Sequence, residues 1–346
     1  MTSPVFVVGT GRCGSTMISS LLRKHPDVLS LSELFGAITD LGTLIPHAFP
    51  TGVINASQFW NILSTPYHKE NLLIRHELLR TKNISHSTLE AGIPAIMMET
   101  LPHLTYNADT LFEEAQAFVT SQTPALIHQH YLRFFLWLQH HFKRQAWVER
   151  SGGSLRFIHL LTDTFPDAKF IHIVRDGRNT AISMSKHPSF RMALLTLQFI
   201  EKLGIDPFES EDRSSIGELS DELRHLLPES FTASAFRNYH LPLSFYGRYW
   251  SREIINGLHM LEKLPAERVL TIRYEDFQED TEVTVKNLIA FIDPSFVDED
   301  WINNVVPLVS SARSSWRNLP AQEQEELNTA CLPGIAALEA LQVSYI

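Results

Sequence analysis

The chain has 346 residues, 44% hydrophobic and 20% charged, with 15 glycines and 18 prolines, a globular profile that excludes disordered, collagenous and low-complexity readings. Lys plus Arg is 29 against 39 Asp plus Glu, a net charge of −10 with neutral histidines. This balance disfavours a nucleic acid backbone or an anionic membrane as main partner, so any anion site must be local. The two cysteines, Cys13 and Cys331, make neither a disulfide framework nor a metal-type spacing. The first thirty residues carry no leader pattern, and no apolar run reaches the roughly 20 residues that span a bilayer. The expected address is the cytoplasm.

Val5 to Val8 is a short apolar run that reads as a buried parallel strand. It stops at a glycine-rich turn, Gly9-Thr10-Gly11-Arg12-Cys13-Gly14-Ser15-Thr16, after which Met17, Ile18, Leu21 and Leu22 fall at helical spacing. A second strand, Val28 to Leu31, leads into Ser32 and Glu33, which places the carboxylate at a strand's C-terminal end, where α/β folds keep their sites. The stretch to Gln145 reads as helical and irregular, with amphipathic pieces at Leu72 to Leu79 and Leu111 to Val119 broken by prolines. Then a βα rhythm returns: a strand from Gln145 to Glu149, a helix from Ser154 to Thr164, a strand from Lys169 to Val174 and a helix from about Asn179. Strands alternating with helices imply a parallel sheet. Beyond a Ser-, Glu- and Asp-rich segment from about His187 to Pro242, the pattern predicts a helix over Arg248 to Lys263, a strand over Arg268 to Tyr274 and a helix over Glu282 to Ile292.

A strand, a glycine turn and a helix start put several backbone N–H groups and the positive end of a helix dipole on one spot, which suits an anion. The nucleotide-binding pattern G-x-x-x-x-G-K-[ST] is nearly present at Gly9, Gly14, Ser15 and Thr16, but Ser15 stands where the phosphate-reaching lysine belongs. Nucleoside triphosphate chemistry would lack its main charge neutraliser there. Arg12 offers instead a fork suited to one phosphate or sulfate. Cys13 reads as a packing residue whose backbone belongs to the anion loop. A second anchor is the strand ending in Arg175-Asp176-Gly177-Arg178, with Ser183 on the following helix. Of these arginines, Arg178 is expected in a salt bridge. The 16 histidines include no pair at H-E-x-x-H spacing, so no metal site is expected. Tyr131, Phe134, Phe135, Trp137 and Leu138 form an aromatic stripe expected in the core.

The two anchors together resemble the sulfotransferases that use 3′-phosphoadenosine 5′-phosphosulfate, in particular the tyrosylprotein sulfotransferases and bacterial small-molecule sulfotransferases. The resemblance covers the first 35 or so residues and about Ala146 to Lys186, with weaker echoes at Arg273 to Phe277 and Ser311 to Arg317. It implies an α/β fold, a parallel sheet flanked by helices; residues 1–346 read as one such domain, with helical insertions at about 36–144 and 187–245 that lie outside the resemblance. It also implies that Arg12, Cys13, Gly14, Ser15 and Thr16 hold the 5′-phosphosulfate. Arg175 and Ser183, eight residues apart, take the 3′-phosphate, and Tyr274 resembles the tyrosine beside the nucleotide. Glu33 stands 21 residues beyond Arg12, where the tyrosine-sulfating relatives place their catalytic glutamate. Arg150 stands 25 residues before Arg175, where they place a catalytic lysine, so the positive charge is kept but becomes a planar fork. The C-terminal cofactor contacts have four candidates: Ser310, Ser311, Arg313 and Arg317.

The reaction so implied is an in-line displacement onto a hydroxyl or amine of a small molecule, with Glu33 as general base and Arg12 and Arg150 facing the developing charge. A role in natural-product tailoring follows by elimination of secretory-pathway acceptors. The alternatives are an atypical P-loop small-molecule kinase and a catalytically inactive nucleotide-binding relative. For Glu33 the alternative role is an ion pair with Arg12 or Arg150 that fixes the loop.

Overall fold

Short runs of branched and aromatic residues, buried on both faces, require a layer of helices on each side of the sheet they form. The computed structural model, which describes residues 3–80, 91–309 and 315–341, has five such strands: β1 (Val5–Val8), β2 (Val28–Ser32), β5 (Ala146–Arg150), β6 (Lys169–Val174) and β7 (Val269–Arg273). Their order is β2-β5-β1-β6-β7, and every pairing is parallel. All five C-terminal ends therefore lie along one edge. Val5 stands opposite Val148 on one side and Lys169 on the other, so the strand that feeds the glycine turn is central. A separate antiparallel pair, β3 (Val53–Ile54) with β4 (Ala125–Leu126), lies between β2 and β5 in sequence.

The strands Lys169–Val174 and Val28–Ser32 and the helix Thr281–Ile292 fall within a residue of their expected bounds. Other elements differ in extent. The expected helix over Ser154 to Thr164 begins as a 3₁₀ turn, Ser154–Phe157, before Ile158–Thr164 turns α-helical. The helix expected at Leu72 to Leu79 runs instead over His68–Arg75, and Glu77 adopts a left-handed conformation that ends it. The Ser-rich segment after β6 contains a helix of four turns, Pro188–Leu203. The aromatic stripe lies on Ile127–His141, with Tyr131, Phe134 and Phe135 fully buried and the Tyr131 hydroxyl donating to the Ala48 carbonyl at 2.7 Å.

Two packing features hold the site's surroundings. Leu243–Leu261 packs along the C-terminal helix Ala321–Ala340, which contains Pro333. There the Ser251 hydroxyl donates to the Ala330 carbonyl at 2.8 Å and accepts from the Gly334 amide at 3.3 Å, bridging a break in the helical ladder. The second feature is an ion cluster. The Lys69 ammonium, with no exposure, sits 2.9 Å from Asp40, 3.0 Å from Asp206 and 3.2 Å from Glu209. It ties the segment after β2 to the segment after β6. Among the described residues no helix is long and apolar enough to cross a membrane.

Gly177 opens the helix Gly177–Ser185 directly under Trp250, and a Cβ there would lie 2.4 Å from the indole ring. Gly177→Ala is therefore an overpacking change with a rigid ring as its neighbour. Urea unfolding should show a loss of about 1–3 kcal/mol, and unchanged stability would mean that Trp250 yields freely.

Candidate active site

The turn after β1 is shaped by backbone that few residues accept. Gly11, Arg12 and Gly14 all have positive φ, and Gly14 (φ 103°) caps the helix Ser15–Leu22. A side chain at Gly14 would also strike the Tyr274 ring, 2.4 Å from an added Cβ. The first amides of this helix, those of Ser15 and Thr16, have no partner within the helix, the feature by which a helix start suits an anion, and the Ser15 amide also faces the Cys13 sulfur. Cys13 is fully buried, and burial pushes its thiol up, so the side chain packs while only the backbone belongs to the turn.

Arg12 reaches from the turn to the next anchor, its Nε donating to the Ser183 hydroxyl at 3.2 Å. Arg175, at the end of β6, donates to the Arg12 carbonyl at 3.4 Å and stacks over Tyr274, its guanidinium carbon 4.6 Å from the ring centre. Tyr274 itself is pinned by its amide to the Val174 carbonyl at 2.7 Å. Burial lowers the Arg12 guanidinium and nearby Arg175 and Arg150 lower it further, against the pull of Glu33. Three guanidiniums thus converge on one turn. Arg178 is committed elsewhere. It pairs with Asp176, donates to Asn328 and stacks on Trp316, with its guanidinium carbon 4.2 Å from the ring. Arg317 is exposed beside the same Trp316, and Ser310, Ser311 and Arg313 lie outside the described residues.

Glu33 follows β2 in a left-handed conformation and caps the helix Leu34–Ile38. Its amide continues the strand pairing by donating to the Arg150 carbonyl at 2.7 Å. Its carboxylate accepts from Arg150 Nη1 through one oxygen and from the Gly152 amide, at 2.8 Å, through the other. Arg150 is 3% exposed and also donates to the Ser32 hydroxyl at 2.6 Å, whereas the Glu33 side chain keeps 32% exposure. Each carboxylate oxygen has a second lone pair, so Glu33 is both the partner of Arg150 and an acceptor facing the cavity.

That cavity, about 310 Å³, brings together Arg12, Ser15, Thr16, Glu33 and Arg150, with apolar walls that include Ile74, Met98, Phe157 and Phe190. Cys13, Arg175, Ser183 and Tyr274 do not line it. Cys13 is part of the glycine turn itself, Ser183 and Arg175 are joined to the turn through Arg12, and Tyr274 packs against Arg175 and Gly14. A family model of sulfotransferases matches residues 4–232. The chain belongs to the sulfotransferase family. Its fold is similar to that of the sulfotransferase domain from the curacin biosynthetic pathway (TM-score 0.50, 15% identity, covering 99% of this chain and 98% of that one). Weaker likenesses are to a sulfotransferase from Alicyclobacillus acidocaldarius (0.43, 17%, covering 100% and 98%) and to the sulfotransferase domain of the Synechococcus PCC 7002 olefin synthase (0.44, 17%, covering 100% and 98%). No curated protein matches the sequence.

The sulfotransferase cavity contains groups that no sequence motif singles out. Glu70 lies in its wall, accepting from the Ser189 hydroxyl at 3.3 Å, and burial with the charges of Asp40 and Glu33 pushes its carboxyl up to about 8. His187, Arg156 and Tyr249 also line it. Beneath Glu33, Glu149 is fully buried on β5. It accepts from Ser151 at 2.6 Å, its other oxygen has no partner, and burial pushes it up to about 8. No local pattern marks these positions, because Glu70 on a helix and His187 in the link before Pro188–Leu203 reach the cavity only through tertiary packing.

Glu149 and Glu70 hold their protons in the folded state well above the usual carboxylate range of about 4.3. Their contribution to stability is fully present below that range and is lost as pH rises through about 8. Thermal unfolding followed from pH 5 to pH 9 should therefore show Tm falling toward the alkaline end. Glu149→Gln should flatten that fall, and an unchanged slope after this substitution would show that Glu149 ionises freely in place.

Proposed function

We propose that this sulfotransferase transfers a sulfuryl group from 3′-phosphoadenosine 5′-phosphosulfate to a hydroxyl or amine of a small-molecule acceptor, in one domain carrying two helical insertions. The reading is carried by one observation: the cationic glycine turn and the Glu33 carboxylate open into the same cavity, part of whose wall is apolar. The residues present fit an anionic donor. The amides at the head of Ser15–Leu22 are unsatisfied within the helix, and Arg12 is lowered by burial among other guanidiniums, which an added anion would relieve. When bound, the donor supplies a sulfuryl group on a phosphate that departs as adenosine 3′,5′-bisphosphate.

The backbone of Cys13 to Thr16 and the Arg12 fork hold the 5′ end, at the positive end of the helix. Arg175 and Ser183 take the 3′-phosphate. Arg175 is stacked on Tyr274, which fixes the plane of its fork, and Ser183 is already tied to Arg12. Glu33 accepts the acceptor's proton, and Arg150, locked by Ser32 and Glu33, presents fixed positive charge to the reacting oxygens. The apolar part of the wall, Ile74, Met98, Phe157 and Phe190, suits the hydrocarbon body of a compact acceptor.

Calorimetric titration should show binding of adenosine 3′,5′-bisphosphate without a metal and little response to ATP with Mg²⁺; binding of ATP alone would move the chain to kinase chemistry. Arg175→Ala removes a charge-assisted contact worth about 1.5–3 kcal/mol, so bisphosphate affinity should fall roughly 10- to 100-fold while that of adenosine 5′-phosphate changes little. Equal losses for the two nucleotides would refute the 3′-phosphate assignment. Glu33→Gln should lower kcat by about 10²- to 10⁴-fold with bisphosphate affinity retained, and intact turnover would assign the base to another group.

A further inference from the structure

His187 sits between the helix that carries Ser183 and the start of Pro188–Leu203, and it lines the cavity with Arg12, Ser15, Thr16 and Glu33. Its position is fixed. The backbone amide donates to the Met184 carbonyl at 3.0 Å, and the ring meets Phe190 edge-on at 5.9 Å. Phe190 in turn packs on Gly11 of the glycine turn. The ring nitrogen Nδ1 is buried with no hydrogen-bond partner, an arrangement that costs free energy, while another part of the same residue lines the cavity and is open to a ligand there.

The charged groups that act on this ring are Arg12 from the glycine turn and Glu33 from the end of β2. In the helix that follows it, Phe190 is neutral and Ser189 is bound to Glu70, while Lys186 before it is exposed. Burial, then Arg12, lower the imidazole to about 4 against the pull of Glu33, so it is neutral at pH 7. An anion seated on Arg12 cancels the repulsion and offers an acceptor. We propose that His187 is a further ligand residue of the glycine-turn site, gaining a proton when an anion occupies that site and donating from its ring to the anion. The proposal rests on the donor-binding reading above.

The test is calorimetric titration with adenosine 3′,5′-bisphosphate at pH 5.5 in buffers of different ionisation enthalpy, which counts protons taken up on binding. Ionisation of the nucleotide's own phosphates is common to wild type and His187→Gln and cancels in the difference. Uptake by wild type should exceed that of His187→Gln by roughly half a proton or more, as expected if the ring returns toward the ordinary value of about 6.5. Equal uptake by the two proteins would overturn the proposal while leaving donor binding intact. If wild type does not bind the bisphosphate, the donor reading falls and takes this inference with it. Should His187→Gln not fold, NMR titration of the His187 ring in wild type decides. A midpoint that rises by at least tenfold in proton affinity on adding the bisphosphate supports the role, and an unmoved midpoint refutes it.

Discussion

A guanidinium taken out of water must be met by acceptors, and removing one partner of such a buried pair typically costs several kcal/mol. Arg150 is in that position at the end of β5. Its acceptors come from the neighbouring strand: Ser32 stands opposite it in the β2–β5 register, and Glu33 follows. The requirement to satisfy Arg150 therefore turns the chain sharply at Glu33, into a left-handed conformation that non-glycine residues adopt at a cost. The other Glu33 oxygen takes the Gly152 amide, so the loop after β5 is held by the same carboxylate. One ion pair thus closes two strand ends and aims a carboxylate at the cavity. The fixing role and the catalytic role considered for Glu33 are compatible in this geometry.

What could be read from the sequence was what is local. The run Val5 to Val8, the glycine turn and the helix after it form one continuous strand–turn–helix, and Lys169 to Val174 is a largely apolar strand whose bounds follow from its composition. The glycine turn around Arg12 and the spacing of Arg175 to Ser183 carried the resemblance, because both sit on or beside regular elements at strand ends, and Glu33 then followed by its position. Other features depend on contacts between distant segments and left no local trace. His187 and Glu70 come to line one cavity only when segments distant in sequence fold over it. The C-terminal helix gives a weak helical signal because Pro333 interrupts its ladder, and its repair comes from Ser251 on another helix. Cys13 shows a further limit: the motif places it in the anion turn, while packing buries its thiol.

The ion cluster at Lys69 is a second buried charge arrangement of this kind, beside the cavity wall at Glu70. One ammonium meets three carboxylates drawn from the segments after β2 and after β6. Surface ion pairs contribute little, but here Lys69 and Asp40 are withdrawn from solvent and depend on one another. The next residue in the chain is Glu70, so the cluster that joins the two segments also sets where a wall of the cavity stands. The three stretches it joins, at 40, at 69 and at 206 to 209, are too far apart in sequence for any spacing rule to pair them.

The central place of β1 has a consequence for how the protein comes into being. The first strand made is sandwiched between β5 and β6, with Val5 against Val148 and Lys169. During synthesis the glycine turn thus emerges long before either flanking strand exists, and a sheet of such high contact order closes slowly. Nascent chains shorter than about Val174 cannot hold the turn in its final shape, since its supports at Ile173, Arg175 and Gly152 are not yet in place. A ligand for this turn binds the closed sheet and not its precursors, and by mass action it favours the finished protein over the unfolded chain.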